Sequence, residues 1–181
     1  MNSLKRIIAV ILSMITFVVF PQELSKVSAE TRYVEYELPY EDTFFKSYMS
    51  YKAITNEASD QYKLQQICWT DDWGLRRRVD DYVVAVGTYY SDTIGDRFRV
   101  TLTSGTEFTV IVGDIKNDKH TDEKNMYSPV YNGYGRFTSA NVLEFIVDTS
   151  LLPKEVKLTG TVSSIYYFKG NIEKIEKIIE D

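Results

Sequence analysis

The sequence predicts a mainly β protein whose strands curl into a closed or nearly closed barrel. Three observations lead there. From Tyr82 onward apolar residues recur with a period of two, most cleanly in Phe98, Val100 and Leu102. The runs are short and end at turn residues such as Gly87, Gly105 and Gly113, with little helical pattern between them. The stretch beyond residue 29, about 150 residues, is long enough for one domain with a sizeable core.

At the N-terminus Lys5-Arg6 precedes an apolar run from Ile7 to Phe20, then Pro21, a polar stretch and Val27-Ser28-Ala29. A positive end, an apolar core and small residues at −3 and −1 are the order of a secretory signal peptide. The apolar run is about two-thirds of the roughly 20 residues that span a bilayer. The expected product is a secreted chain beginning at Glu30, with an uncleaved anchor as the alternative. No Cys lies near the cleavage site, so lipid attachment is not expected there.

Residues 30–58 read as a peripheral lead-in. Tyr33, Val34, Tyr36 and Leu38 alternate imperfectly with charged residues, which predicts an edge strand ended by Pro39. Ser59 is placed to cap a short helix from Asp60 to Ile67. Residues 70–74 read as a turn. Strands follow at 82–87, 97–102, 107–113 and 142–148, with a hairpin turn at 103–106 and a polar loop of about 25 residues from Ile115 to Ala140. Val162 to Phe168 is expected to be the last strand. Ile172, Ile175, Ile178 and Ile179 are spaced for a short helix, with a hairpin partner strand as the alternative. The domain is thus expected to run over 59–181.

Charge narrows the function. Taking Lys5, Arg6, Lys26 and Glu23 out of 21 basic and 26 acidic residues leaves a balance near −7. Nucleic-acid binding rests on clustered Lys and Arg that release counterions, so that partner is not expected. The one basic run, Arg76-Arg77-Arg78, is flanked by Asp71, Asp72, Asp80 and Asp81 and reads as a solvated turn. Cys68 is alone, so no internal disulfide forms, and beside Ile67 and Trp69 it reads as a buried structural thiol. A catalytic thiol needs a nearby base, and the only His is His120.

Candidate chemistry gathers at two strand ends and in the long loop. Asp114 and Asp148 each close an apolar strand. Two carboxylates at neighbouring strand ends suit acid/base work on a glycosidic bond, in which burial or a like charge keeps one protonated. Lys116 would orient substrate. The plainer reading has both Asp residues capping turns. Asp118, His120 and Asp122 fall on one face of an extended segment, which suits a metal ion, but no second His or available Cys completes a structural zinc site. Asp118, Asp122 and Asn125 lack the spacing of a calcium loop. Tyr89, Tyr90, Tyr127, Tyr131, Tyr134 and Phe137 surround this loop; they serve either as sugar-stacking faces or as ordinary core and rim residues.

The order Val84-Ala85-Val86-Gly87, Ile94-Gly95-Asp96-Arg97-Phe98-Arg99-Val100, Val112-Gly113-Asp114 and Phe145-Ile146-Val147-Asp148 resembles the double-psi β-barrel core of 3D-domain and RlpA-like proteins, over residues 82–149. The resemblance implies a six-stranded double-psi barrel in a cell-wall protein. It implies, in the catalytic members, a peptidoglycan lytic transglycosylase with an aspartate acid/base. Asp114 matches the family's central aspartate and Asp148 its last; the first falls at or near Gly87. The whole chain is also similar to secreted proteins of clostridial-type bacteria, which implies location. The expected activity is therefore glycan-strand cleavage at Asp114 and Asp148, with Lys116, His120, Asp122, Tyr89 and Tyr90 binding substrate and no cofactor required. The alternative is a non-catalytic glycan- or protein-binding module of the envelope. Catalysis by the pair needs the two carboxylates together in an open cleft; binding needs only an aromatic groove.

Overall fold

A computed structural model describes residues 30–180, so the leader-like segment 1–29 lies outside the described residues. The chain forms β1 (Arg32–Glu35), β2 (Tyr48–Ser50), α1 (Asp60–Gln66), β3 (Trp69–Thr70), β4 (Arg76–Arg78), β5 (Asp81–Val86), β6 (Arg97–Leu102), β7 (Glu107–Ile115), β8 (Ser128–Tyr131), β9 (Phe137–Asn141), β10 (Glu144–Val147), α2 (Lys154–Thr159) and β11 (Ile172–Ile179). The main sheet runs β1-β11-β6-β7-β5-β10-β2, with β4 also paired to β5 and β3 to β4. The protein is mainly β, and its sheet is mixed: β5 runs parallel to β7, and β2 parallel to β10. Among the described residues the pairing ends at β1 and β2 without closing into a ring. All four strands expected from the period-two runs lie in this one sheet.

Burial follows the sequence pattern. In β6 alternate residues Phe98, Val100 and Leu102 are buried, the signature of a half-covered strand. Every residue of β5 is buried, because both faces of this strand are covered, as is usual for strands in parallel pairs. Tyr82, Val84 and Val86 join the main core, while Val83 packs on the other side with Ile111, Ile146 and Leu64 of α1. Ser59 caps α1 by accepting from the Tyr62 N–H at 3.2 Å. Gly113 leaves room for the side chains of the neighbouring strands, since a Cβ there would lie 2.2 Å from Val83 Cγ1 and 3.1 Å from Ile146 Cδ1.

Several expectations change. Residues 30–58 join the sheet: β1 is the expected edge strand, exposed at all four positions, β2 closes the other end, and Lys46 is fully buried, donating to the carbonyls of Phe44 and Gly170 and to Ser163 Oγ. Residues 162–168 form two 3-10 turns instead of a strand. Val162, Ile165 and Phe168 face the core at every third position, the period of a 3-10 helix. The isoleucine segment is a strand, not a helix. A bulge between Ile172 and Lys174 lets Ile172 and Ile175 both face inward despite their three-residue spacing. The long loop contains a separate hairpin, β8–β9. Cys68 is half-buried and donates to the Leu64 carbonyl, while its neighbours Ile67 and Trp69 are exposed.

The triple-arginine run is strand β4, not a solvated turn, and Arg76 is buried. Arg76 Nε donates to Gln65 Oε1 at 3.1 Å, and its terminal nitrogens donate to Thr70 Oγ1 and to the carbonyls of Gln65 and Cys68. These carbonyls lie at the C-terminal end of α1, where a cation is favoured by the helix dipole and satisfies acceptors the helix cannot. The Tyr51 ring covers the guanidinium at 4.7 Å. Arg76→Met keeps the apolar stem but strands these acceptors, and is expected to cost about 3 kcal/mol in denaturant unfolding; a loss below about 1 kcal/mol would show that the cap is dispensable.

Candidate functional site

The two strand-end carboxylates are not brought together. Strand β7 runs parallel to β5, and β10 runs antiparallel to it, so the C-terminal ends of β7 and β10 lie at opposite ends of the sheet. Asp114 stands beside Ala85, and Ala85 beside Glu144 on the far side of β5. Asp148 is four residues beyond Glu144. Two strand spacings across and four residues along put the two backbone positions roughly 16 Å apart.

Their environments differ accordingly. Asp114 is half-buried at the base of α1, lining a cleft of about 280 Å³ with Met49, Asn56, Ser59 and Gln61. Burial pushes its carboxyl above the usual carboxylate range, against the Ile115 N–H and the Gln61 side chain, which stabilise the anion. Asp148 accepts from the Ser150 hydroxyl at 2.6 Å and N–H at 3.0 Å. These bonds hold its carboxyl below the usual range. Asp148 thus caps the turn after β10.

The remaining expected site residues serve the fold. Lys116 is buried and donates through Nζ to the Asn141 carbonyl, out of reach of an open cleft. Burial lowers its pKa to about 7, opposed by Glu144. Asp122 accepts from the N–H groups of Met126 at 2.6 Å and Tyr127 at 3.0 Å, closing a turn. That turn packs on Gly87, where a Cβ would lie 1.9 Å from the Asn125 carbonyl oxygen. Position 87 therefore has no room for a side chain. His120 is exposed on a single 3-10 turn, and Asp118 accepts from the Thr88 hydroxyl. Among the described residues no three His, Cys, Asp or Glu side chains gather as a metal site. Tyr90 is buried and donates to the Glu37 carbonyl, and Tyr89 and Tyr36 pack edge-on against one another.

A second surface was not singled out by the sequence. At the opposite end of β7 from Asp114, Arg77, Asp80, Tyr82, Arg99, Phe108 and Tyr167 line an open groove of about 430 Å³. The Phe108 and Tyr167 rings lie 6.4 Å apart, and Trp73 continues the aromatic surface 6.0 Å from Tyr167. The available signal was the aromatic pair Tyr166-Tyr167, concealed by the strand expected there. Comparison with known proteins returns no match to a family model, a curated protein or a solved structure.

The buried lysines make stability depend on pH. Lys46 is lowered by burial to about 8, and Lys116 to about 7, from 10.5. Between those values and 10.5 the unfolded chain binds more protons than the folded one, so stability rises with pH across that window. Tyr82, raised to about 12 by burial, sets an opposing trend once unfolded tyrosines begin to ionise. The denaturation midpoint is therefore expected to increase from about pH 7 to about pH 9.5, and Lys116→Met should flatten the larger share of that slope. A wild-type midpoint that falls over this range would contradict the assignment.

Proposed function

We propose that the protein is an exported, cell-wall-directed binding module that does not cleave the glycan it holds. The single observation carrying this reading is that β7 and β10 deliver Asp114 and Asp148 to opposite ends of the sheet, with backbone positions that ideal strand spacings put roughly 16 Å apart, which speaks against a paired-carboxyl glycosidase. Paired glycosidase carboxyls stand about 5–10 Å apart. An aromatic groove is what binding requires, and the surface around Tyr167 supplies one. The N-terminal segment with its Val27-Ser28-Ala29 site supports export. The relation to double-psi barrel proteins, and with it peptidoglycan as the wall component, belongs to this proposal and rests on the short motifs over 82–149.

Sedimentation with purified cell walls tests the reading. The mature protein is expected to pellet with the walls and to release no soluble glycan fragments. Protein left wholly in the supernatant would overturn wall binding.

A second reading is favoured by one observation: Asp114 is half-buried in a cleft with its carboxyl held toward the protonated form. A lytic transglycosylase can use one carboxyl in turn, first protonating the glycosidic oxygen and then taking a proton from the attacking hydroxyl. On that reading wild-type protein releases fragments, and Asp114→Asn lowers the rate by roughly 10²–10⁴-fold while still pelleting with walls. Release that persists in Asp114→Asn would remove Asp114 from the chemistry.

A further inference from the structure

The groove at the start of β5 and β7 has a chemical preference, which rests on the wall-binding reading. We infer that it takes a neutral, hydroxyl-rich sugar chain of acetamido-hexose units and rejects anionic polymers.

The two arginines in the groove are already committed. Arg99 meets the buried Glu176 carboxylate through Nε at 2.8 Å and a terminal nitrogen at 2.7 Å, and lies 3.9 Å from the centre of the Tyr33 ring. Arg77 stacks 3.8 Å over the Tyr82 ring and faces Asp71 at 4.0 Å. A terminal nitrogen of Arg77 donates to the Asp80 carbonyl, and its Nε is buried and unpaired, so it offers the groove no donor. Neither guanidinium is left as an open fork for a phosphate or carboxylate.

The carboxylates are the reverse. Asp80 and Glu107 line the groove, are exposed, and among the described residues enter no ion pair within 4.0 Å, although one Glu107 oxygen accepts from the Thr101 hydroxyl at 3.3 Å. They are acceptors for sugar hydroxyl and acetamide N–H donors, and they repel anions. Tyr82 and Phe108 form a nearly buried floor, and Tyr167 is 37% exposed with its hydroxyl donating to the Glu107 carbonyl at 3.1 Å. That bond, with ring packing against Phe108 at 6.4 Å and Phe168 at 5.0 Å, holds the Tyr167 ring as a wall against which the C–H face of a pyranose can stack. A volume of about 430 Å³ is within the usual range for a small-molecule site. Trp73, 6.0 Å from Tyr167, extends the surface toward a second ring.

Titration of the mature protein with N-acetylglucosamine tetramer, followed by calorimetry, tests the inference. Saturable binding is expected. Tyr167→Ala should weaken it at least tenfold, Tyr167→Phe should retain most of it, and Glu107→Gln should weaken it severalfold without altering the fold. Poly(glycerol phosphate) should neither bind nor compete. No binding of the tetramer by protein that still pellets with walls would overturn the inference and leave wall binding standing. Failure of both would remove both. Equal binding of the phosphate polymer, or full affinity in Tyr167→Ala, would also overturn it. Should Tyr167→Ala fail to fold, Glu107→Gln carries the same decision.

Discussion

Strand β5 is buried along its whole length, and most of the architecture is a consequence of covering it twice. A strand wet on one face needs apolar residues only at alternate positions; Tyr82-Val83-Val84-Ala85-Val86 has none to spare for water. The inner face packs into the main core with Phe98, Val110, Phe145 and Phe168. The outer face needs its own cover, which the polypeptide before β5 provides: α1, Met49, Tyr51 and Ile54 close over Val83, Ile111 and Ile146. Arg76 then anchors the loose end of α1 to β4, and Gly113 leaves the space that Val83 and Ile146 fill beneath this cover.

The same strand decides the fate of the candidate site. Because β5 separates β7 from β10 and pairs with them in opposite senses, two apolar strands that each end in Asp deliver those residues to opposite ends of the sheet. Asp114 meets the outer helical layer and loses water; Asp148 meets the turn above Gly74 and stays paired with Ser150. Identical local sequence logic therefore gives one perturbed carboxyl in a cleft and one turn cap. The groove near Tyr167 occupies the start of β5 and β7, where Arg77 and Tyr82 stack and β4 leaves the sheet.

What could be read in advance was the local periodicity. The alternation of Phe98, Val100 and Leu102, the Ser59 cap and the apolar body of β5 are each encoded within a few residues, and each element is present. What could not be read was set by distant partners. Lys46 is charged in sequence yet lies at the centre of a buried polar cluster with Ser163 and Gly170. Thr161 and Ser163 turn toward that cluster, and the chain from Val162 to Phe168 follows a three-residue period instead of two. The β11 bulge hides a strand behind helical spacing. Pairing sense, which placed Asp114 and Asp148 apart, has no local signature at all. Gly87 is the exception, since its identity alone barred an acidic side chain there, and the close approach of Asn125 gives the reason.

The separation of Asp114 and Asp148 can be measured directly. Nitroxide labels on Asp114→Cys and Asp148→Cys, in a Cys68→Ser background, report the distance by dipolar electron spin resonance. The account predicts a single distribution centred at or beyond about 15 Å. A distribution centred within the roughly 5–10 Å that a working carboxylate pair spans would contradict it.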